Sequence, residues 1–243
     1  MKETIYSIPV TDLMRADAEC PFCWWEEELT RNLLDVYMQG SLMEENWRDK
    51  VLEGGLCRRH LRELYRTQQK LSVAIITEAL LTYELNLARK FRPPVPGKGS
   101  GFLHSKRPEG LADRLAQRGE NCLACSDLER ELIRSADNFW HLMKTEPDFV
   151  TLVRGSRGFC IPHFRLLWER GLAACGGAHY GRLMEPLLEW EFDLLEKADM
   201  RLKKFIRKFD YRFADTPMDE EKDALERGLN KLRGVRTGDG RGE

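Results

Sequence analysis

Several large classes of protein leave marks that this chain does not carry. None of its 243 residues fall in an uninterrupted apolar run of roughly 18, the length a membrane-spanning helix needs. The most apolar segment, VAIITEALL, is short and contains Glu78. The opening MKETIYSIPV has no apolar stretch leading to a small-residue cleavage site, so it does not read as a secretory signal. A cytoplasmic location is the resulting expectation. An excess of charge is also missing: 39 Lys and Arg stand against 40 Asp and Glu, for a formal net charge of -1. That balance gives no electrostatic ground for binding a polyanion. No GxGxxG, GxxxxGK[ST] or HExxH motif occurs, which removes those particular nucleotide and metalloprotease chemistries without excluding enzymes in general.

What is present is a folded soluble composition, 42 % hydrophobic and 33 % charged, in a chain long enough to bury a core of its own. Seven cysteines occur. In a reducing compartment they favour metal ligation or thiol chemistry over stable disulfides. Six of them form a pattern with two histidines: the pairs Cys20/Cys23 and Cys122/Cys125 are CxxC, and the pairs Cys57/His60 and Cys160/His163 are CxxH. The two CxxC pairs begin 102 positions apart and the two CxxH pairs 103 apart; 33 residues lie between Cys23 and Cys57, and 34 between Cys125 and Cys160. The contexts GGLCRRHL and RGFCIPHF match as well. Repetition of this kind marks an internal repeat of domain scale.

Three thiolates and one imidazole make a closed tetrahedral set, and a helix start favours thiolates through its free amides and dipole. The repeat suggests one ion per half: Cys20, Cys23, Cys57 and His60 in the first, and Cys122, Cys125, Cys160 and His163 in the second. Zinc, two ions, is the first expectation; an iron–sulfur cluster is the alternative. A CxxC redox pair at a helix start would leave the CxxH pairs unexplained. Cys175, in AACGG, has no ligand at matching spacing and reads as a small buried side chain. His104, His141 and His179 lack the repeated context. Glu26 and Glu27 are expected to face solvent, and Asp12, Arg15, Asp17 and Glu19 to be surface or capping residues.

Helical periodicity runs through most of the chain, so the fold class is all-α. Helices are expected from Cys20 to Tyr37, from Met43 to Leu52, and in one long element from His60 to about Phe91 that either packs along a long partner or breaks locally. In the second half, helices should follow Cys122, Pro147 and His163. A bend is expected at Gly176 and Gly177, then a long helix from Tyr180. Pro9 makes a helix start near YSIPV unfavourable, so that segment reads as an extended or turn element covering part of the body. The segment RPPVPGKGSG reads as a linker. The organisation that follows is a first metal-binding helical unit over 1–91, a linker over 92–110, a second unit over 111–213, and a short helix with a mobile tail over 214–243. The basic stretch holding Lys203, Lys204, Arg207 and Lys208 is amphipathic and reads first as a solvated helix face.

The opening YSIPV, the CPFC pair and GLCRRH resemble an uncharacterised family of bacterial proteins known only as a domain of unknown function. The resemblance covers most of the chain and implies the same eight ligand positions, but no reaction. The leading functional expectation is a structural metal protein that presents a helical surface or groove to an unknown protein or small-molecule partner. A metal-dependent or redox enzyme with a pocket between the units is the alternative. Nucleic-acid binding is a third reading, opposed by the long gap between ligand pairs and by the neutral charge.

Overall fold

The computed structural model describes residues 7–39, 45–90, 121–213 and 221–234. Over these residues the fold is all-helical. The helices are α1 (Ser7–Arg15), α2 (Pro21–Gln39), α3 (Glu45–Gly54), α4 (Arg58–Arg66), α5 (Lys70–Lys90), α6 (Leu123–Thr145), α7 (Pro147–Gly155), α8 (Ile161–His179), α9 (Glu185–Arg207) and α10 (Ala224–Arg233). The expected linker at 92–110 and the candidate helix after it lie outside the described residues.

One local expectation is corrected and two are refined. The segment beginning at Ser7 is the helix α1, with Pro9 in its first turn. The missing amide costs nothing there, because first-turn amides have no partner within a helix. The long element expected from His60, either packed along a partner or broken locally, is broken into two helices. Thr67 adopts an extended conformation, and both its amide and its hydroxyl donate to the Leu64 carbonyl, at 3.1 and 2.8 Å, which ends α4 before α5 begins. The bend before the last long helix falls at Gly176, whose φ of 48° suits glycine, and a π turn over Tyr180–Met184 leads into α9. Pro186 sits in the first turn of α9, where it is tolerated.

The chain forms two compact units that do not follow the halves of the sequence. One comprises Met1–Glu28 with Glu131–Glu243, and the other is the contiguous Leu29–Arg130. The second unit therefore interrupts the first in sequence, and both boundaries fall inside helices, α2 and α6.

The discontinuous unit has an aromatic core. Phe22, Phe139, Trp140, Phe149 and Phe159 are all fully buried in it. The rings of Phe22, Phe139 and Phe159 meet edge to face at 5.8 to 6.3 Å between centroids. Gly171 lets α8 approach Trp140, since a Cβ there would lie 2.5 Å from the indole, and the indole N–H donates to the Leu167 carbonyl at 2.7 Å. Cys175 is buried in this core, as its surroundings in the sequence suggested, and burial raises its thiol pKa.

The contiguous unit has a smaller, mostly aliphatic core of Leu34, Met38, Leu56, Leu64 and Ile76 with Tyr37, whose hydroxyl donates to Asp127 at 2.6 Å. Helix α5 packs Val73, Ile76 and Leu80 against it while Leu71, Ile75, Leu81 and Leu85 stay exposed. By length and composition alone the Lys70–Arg89 stretch is apolar enough to cross a bilayer, with only 6 % of it buried.

Candidate metal centres

Each of the four motifs opens a helix. Cys20 immediately precedes α2 and Cys23 lies in its first turn; Cys122 and Cys125 stand in the same relation to α6. Cys57 and Cys160 are the N-caps of α4 and α8, with closely similar extended backbones (φ/ψ -75°/166° and -78°/155°). His60 and His163 follow one turn inside. Two residues before each N-cap stands a glycine with positive φ, 70° at Gly55 and 81° at Gly158, followed by a buried Leu56 or Phe159. The matching GLC and GFC segments are thus one turn used twice: the left-handed glycine reverses the chain, the apolar residue anchors it, and the cysteine sulfur is delivered at a helix start.

The eight side chains converge in two groups, but the pairs are exchanged between the halves. Cys20 and Cys23 meet Cys160 and His163; Cys57 and His60 meet Cys122 and Cys125. The grouping expected from the repeat, CxxC with the next CxxH in sequence, is not the one the fold makes. We call the first group cluster I, which lies entirely in the discontinuous unit, and the second cluster II, which lies entirely in the contiguous one.

The spacing within each group suits a single ion. In cluster I the His163 Nδ1 lies 3.6, 3.3 and 3.2 Å from the sulfurs of Cys20, Cys23 and Cys160, and Cys23 and Cys160 are 3.5 Å apart. In cluster II the His60 Nδ1 lies 3.3, 3.3 and 3.4 Å from Cys57, Cys122 and Cys125, and Cys57 and Cys125 are 3.7 Å apart. Metal–sulfur bonds of about 2.3 Å and metal–nitrogen bonds of about 2.0 Å around a tetrahedral ion place sulfurs about 3.8 Å apart and sulfur about 3.5 Å from nitrogen. Both clusters sit close to those edges. All seven cysteines are free thiols.

The proton affinities within the clusters are uneven. Hydrogen bonds from Cys20 and Cys23 hold Cys160 down at about 4 against the opposing effect of burial. Cys23, bonded to Cys160 and Cys20 and buried, is pushed far above the ordinary thiol range. In cluster II burial acts upward on Cys57, but the His60 amide and the Cys125 and Cys122 thiols outweigh it and lower its pKa. Burial, then Cys122, raises Cys125 to about 12. In each group the N-cap cysteine has a lowered pKa, with help from the amide of the following histidine. A divalent cation would offset the repulsion from neighbouring sulfurs that helps raise Cys23 and Cys125.

Cluster I has a supporting set of side chains that the sequence reading did not identify. Glu26, expected in solvent, places Oε2 3.6 Å from the His163 Nε2, on the ring edge opposite the sulfurs. That is the position from which a carboxylate orients a ligating imidazole. It lies three residues after Cys23 on the same helix, so the spacing could have flagged it. Glu191 and Lys231 are both buried and 3.5 Å apart. Glu191 accepts the Phe159 amide at 3.0 Å, and Lys231 donates to the carbonyls of Arg157, at 2.5 Å, and Phe159, at 3.3 Å. One ion pair therefore holds the peptide groups just before Cys160. Burial pushes Glu191 up to about 7 despite Lys231. Helix α10, which brings Lys231, ends at Gly234 with φ 71°, where a Cβ would fall 2.6 Å from the Cys23 sulfur. Only a glycine lets the helix end pass that close.

Asp17 pairs with Arg157 at 2.7 Å. Glu19 is no surface residue of the ordinary kind: its Oε1 takes both Arg157, at 3.1 Å, and Arg227, at 3.0 Å. His141 is exposed and His179 half-buried, and neither belongs to a cluster. His104 lies outside the described residues.

The fold and these centres define an all-helical protein with two candidate metal clusters, each of three cysteines and one histidine. The chain belongs to a family of unknown function, DUF6062, whose model matches residues 1–239. No curated protein and no solved structure matches it.

Proposed function

We propose that the chain is a structural zinc protein, in which two ions tie helix starts together and the helical body so held presents a surface to a partner. The observation that carries this reading is the completeness of the two donor sets. Each offers four ligand atoms within 4.8 Å of one another, so an ion bound there has no open position for water or substrate. All four ligand atoms of each group lie within 4.8 Å of one another, which favours one ion over an iron–sulfur cluster, because a cluster divides its ligands among two or more irons and spreads them further. Helix α5, apolar on its buried side and on its exposed side, supports a partner-presenting role, because a solvated helix ordinarily keeps one polar face.

Elemental analysis and an absorption spectrum of untagged, reduced protein test the proposal. Two zinc ions per chain and no visible chromophore are the expected result. Iron with labile sulfide, or fewer than one bound ion per chain, would sink it.

A further inference from the structure

We propose that the discontinuous unit carries a binding pocket for a small organic anion, a carboxylate or phosphate on a short apolar stem. The pocket is a cavity of about 170 Å³ between α9, α10 and the segment that precedes cluster I. Its wall is cationic. Lys197 and Arg201 stand one turn apart on α9, Arg227 and Lys231 one turn apart on α10, and Arg157 closes the side; among the described residues Glu19 is the one carboxylate in the lining. Leu194, Ala198 and Ala224 give the cavity an apolar floor. Gly228 sets the spacing of the two helices, since a Cβ there would lie 2.6 Å from Leu202.

Five cations around one small cavity repel one another, and same-sign pairs a turn apart on a helix destabilise it. Their counter-charges lie mostly outside. Asp17, Asp193 and Asp223, which pair with Arg157, Lys197 and Arg227, are outside the lining and more than half exposed. Exposed pairs of this kind contribute little and yield readily to a better acceptor. Glu19 uses a single oxygen to hold Arg157 and Arg227 together, leaving one positive charge over in that trio. Lys231 is committed to Glu191 and to backbone carbonyls. Among the described residues Arg201 is the member of the five with no carboxylate partner. An oxyanion seated against Arg201, within reach of Lys197 and Arg227, would satisfy its guanidinium fork, and the floor would take the stem.

The test is titration calorimetry of the full-length, metal-loaded chain with inorganic phosphate, butyl phosphate and butyrate at matched ionic strength. One saturable site is expected, with butyl phosphate about tenfold tighter than inorganic phosphate because the floor buries its stem. Binding by butyl phosphate but not butyrate identifies a phosphate ester as the natural headgroup; the reverse identifies a carboxylate; either supports the pocket. Arg201→Met should weaken binding at least about tenfold without moving the melting temperature, whereas Lys204→Met, on the same helix but outside the lining, should leave binding unchanged. Absence of saturable binding by all three probes would overturn the proposal. So would equal losses in the two variants, which would mark a diffuse field along α9 and not a site.

Discussion

Clusters I and II are built from the same two motifs, with the same N-cap conformation and the same ring nitrogen, yet their surroundings differ. Every ligand of cluster I is buried, against the Phe22–Phe159 aromatic core, and its histidine and N-cap segment are held by Glu26, Glu191 and Lys231. In cluster II, Cys125 is exposed, Cys57 is half-buried, and the neighbouring core is small and aliphatic. One coordination geometry therefore serves two conditions. Cluster I is fixed by packing from all sides, whereas cluster II relies more on its ion to keep α4 and α6 together.

The sharpest way to break this comparison is to ask which residues share an ion. The double variant Cys20→Ser with Cys160→Ser removes ligands from cluster I alone, so bound zinc should fall from two ions to one. Pairing within the sequence halves would instead reduce it to none. The same variant should lose at least about 5 kcal/mol of stability in the unit carrying Trp140, a fraction of the roughly 10–16 kcal/mol a structural zinc supplies in small peptides. Metal analysis and tryptophan-detected denaturation read the two outcomes.

A second test concerns the polar support of cluster I. Glu191 has its pKa raised from an ordinary 4.5 to about 7, so the folded state binds this proton more tightly than the unfolded chain does. Its contribution is fully present below the ordinary value and is lost as pH rises through about 7, by up to about 3 kcal/mol. Glu191→Gln should flatten that decline relative to the wild type in urea denaturation at pH 5 and pH 8. Parallel pH profiles for the two proteins would show that the buried pair is ionised throughout.

The smallest expected difference is kinetic. A chelator should strip cluster II about tenfold faster than cluster I, a barrier difference of roughly 1.4 kcal/mol, and Cys125 should be the first thiol alkylated as the metal leaves. Mass spectrometry of the alkylated peptides against time checks the order. Simultaneous release from both clusters would remove the distinction drawn from burial.

Much of the fold was legible from residue spacing. The apolar period of α2 and α6, the bend at Gly176 and the burial of Cys175 all follow from local pattern. The supporting residues were not legible. Glu191 went unremarked in the sequence because its partner Lys231 lies forty residues on and only the fold places the two side by side. Pro9 misled because its usual restriction applies inside a helix and not in the first turn.

The sequence by itself determined the helical class and the eight side chains with the chemistry to hold two ions, because both depend on residue type and short-range spacing. Only the tertiary structure decided which CxxC meets which CxxH. Coordination chemistry does not distinguish the two pairings, and chain entropy barely does. Joining Cys23 to Cys160, 137 positions away, rather than to Cys57 is about a fourfold longer closure and costs about 1.2 kcal/mol. Burial of Phe22 against Phe139 and Phe159 outweighs that difference several-fold, at roughly 1.5–3 kcal/mol for each such side chain, and the core therefore selects the partner.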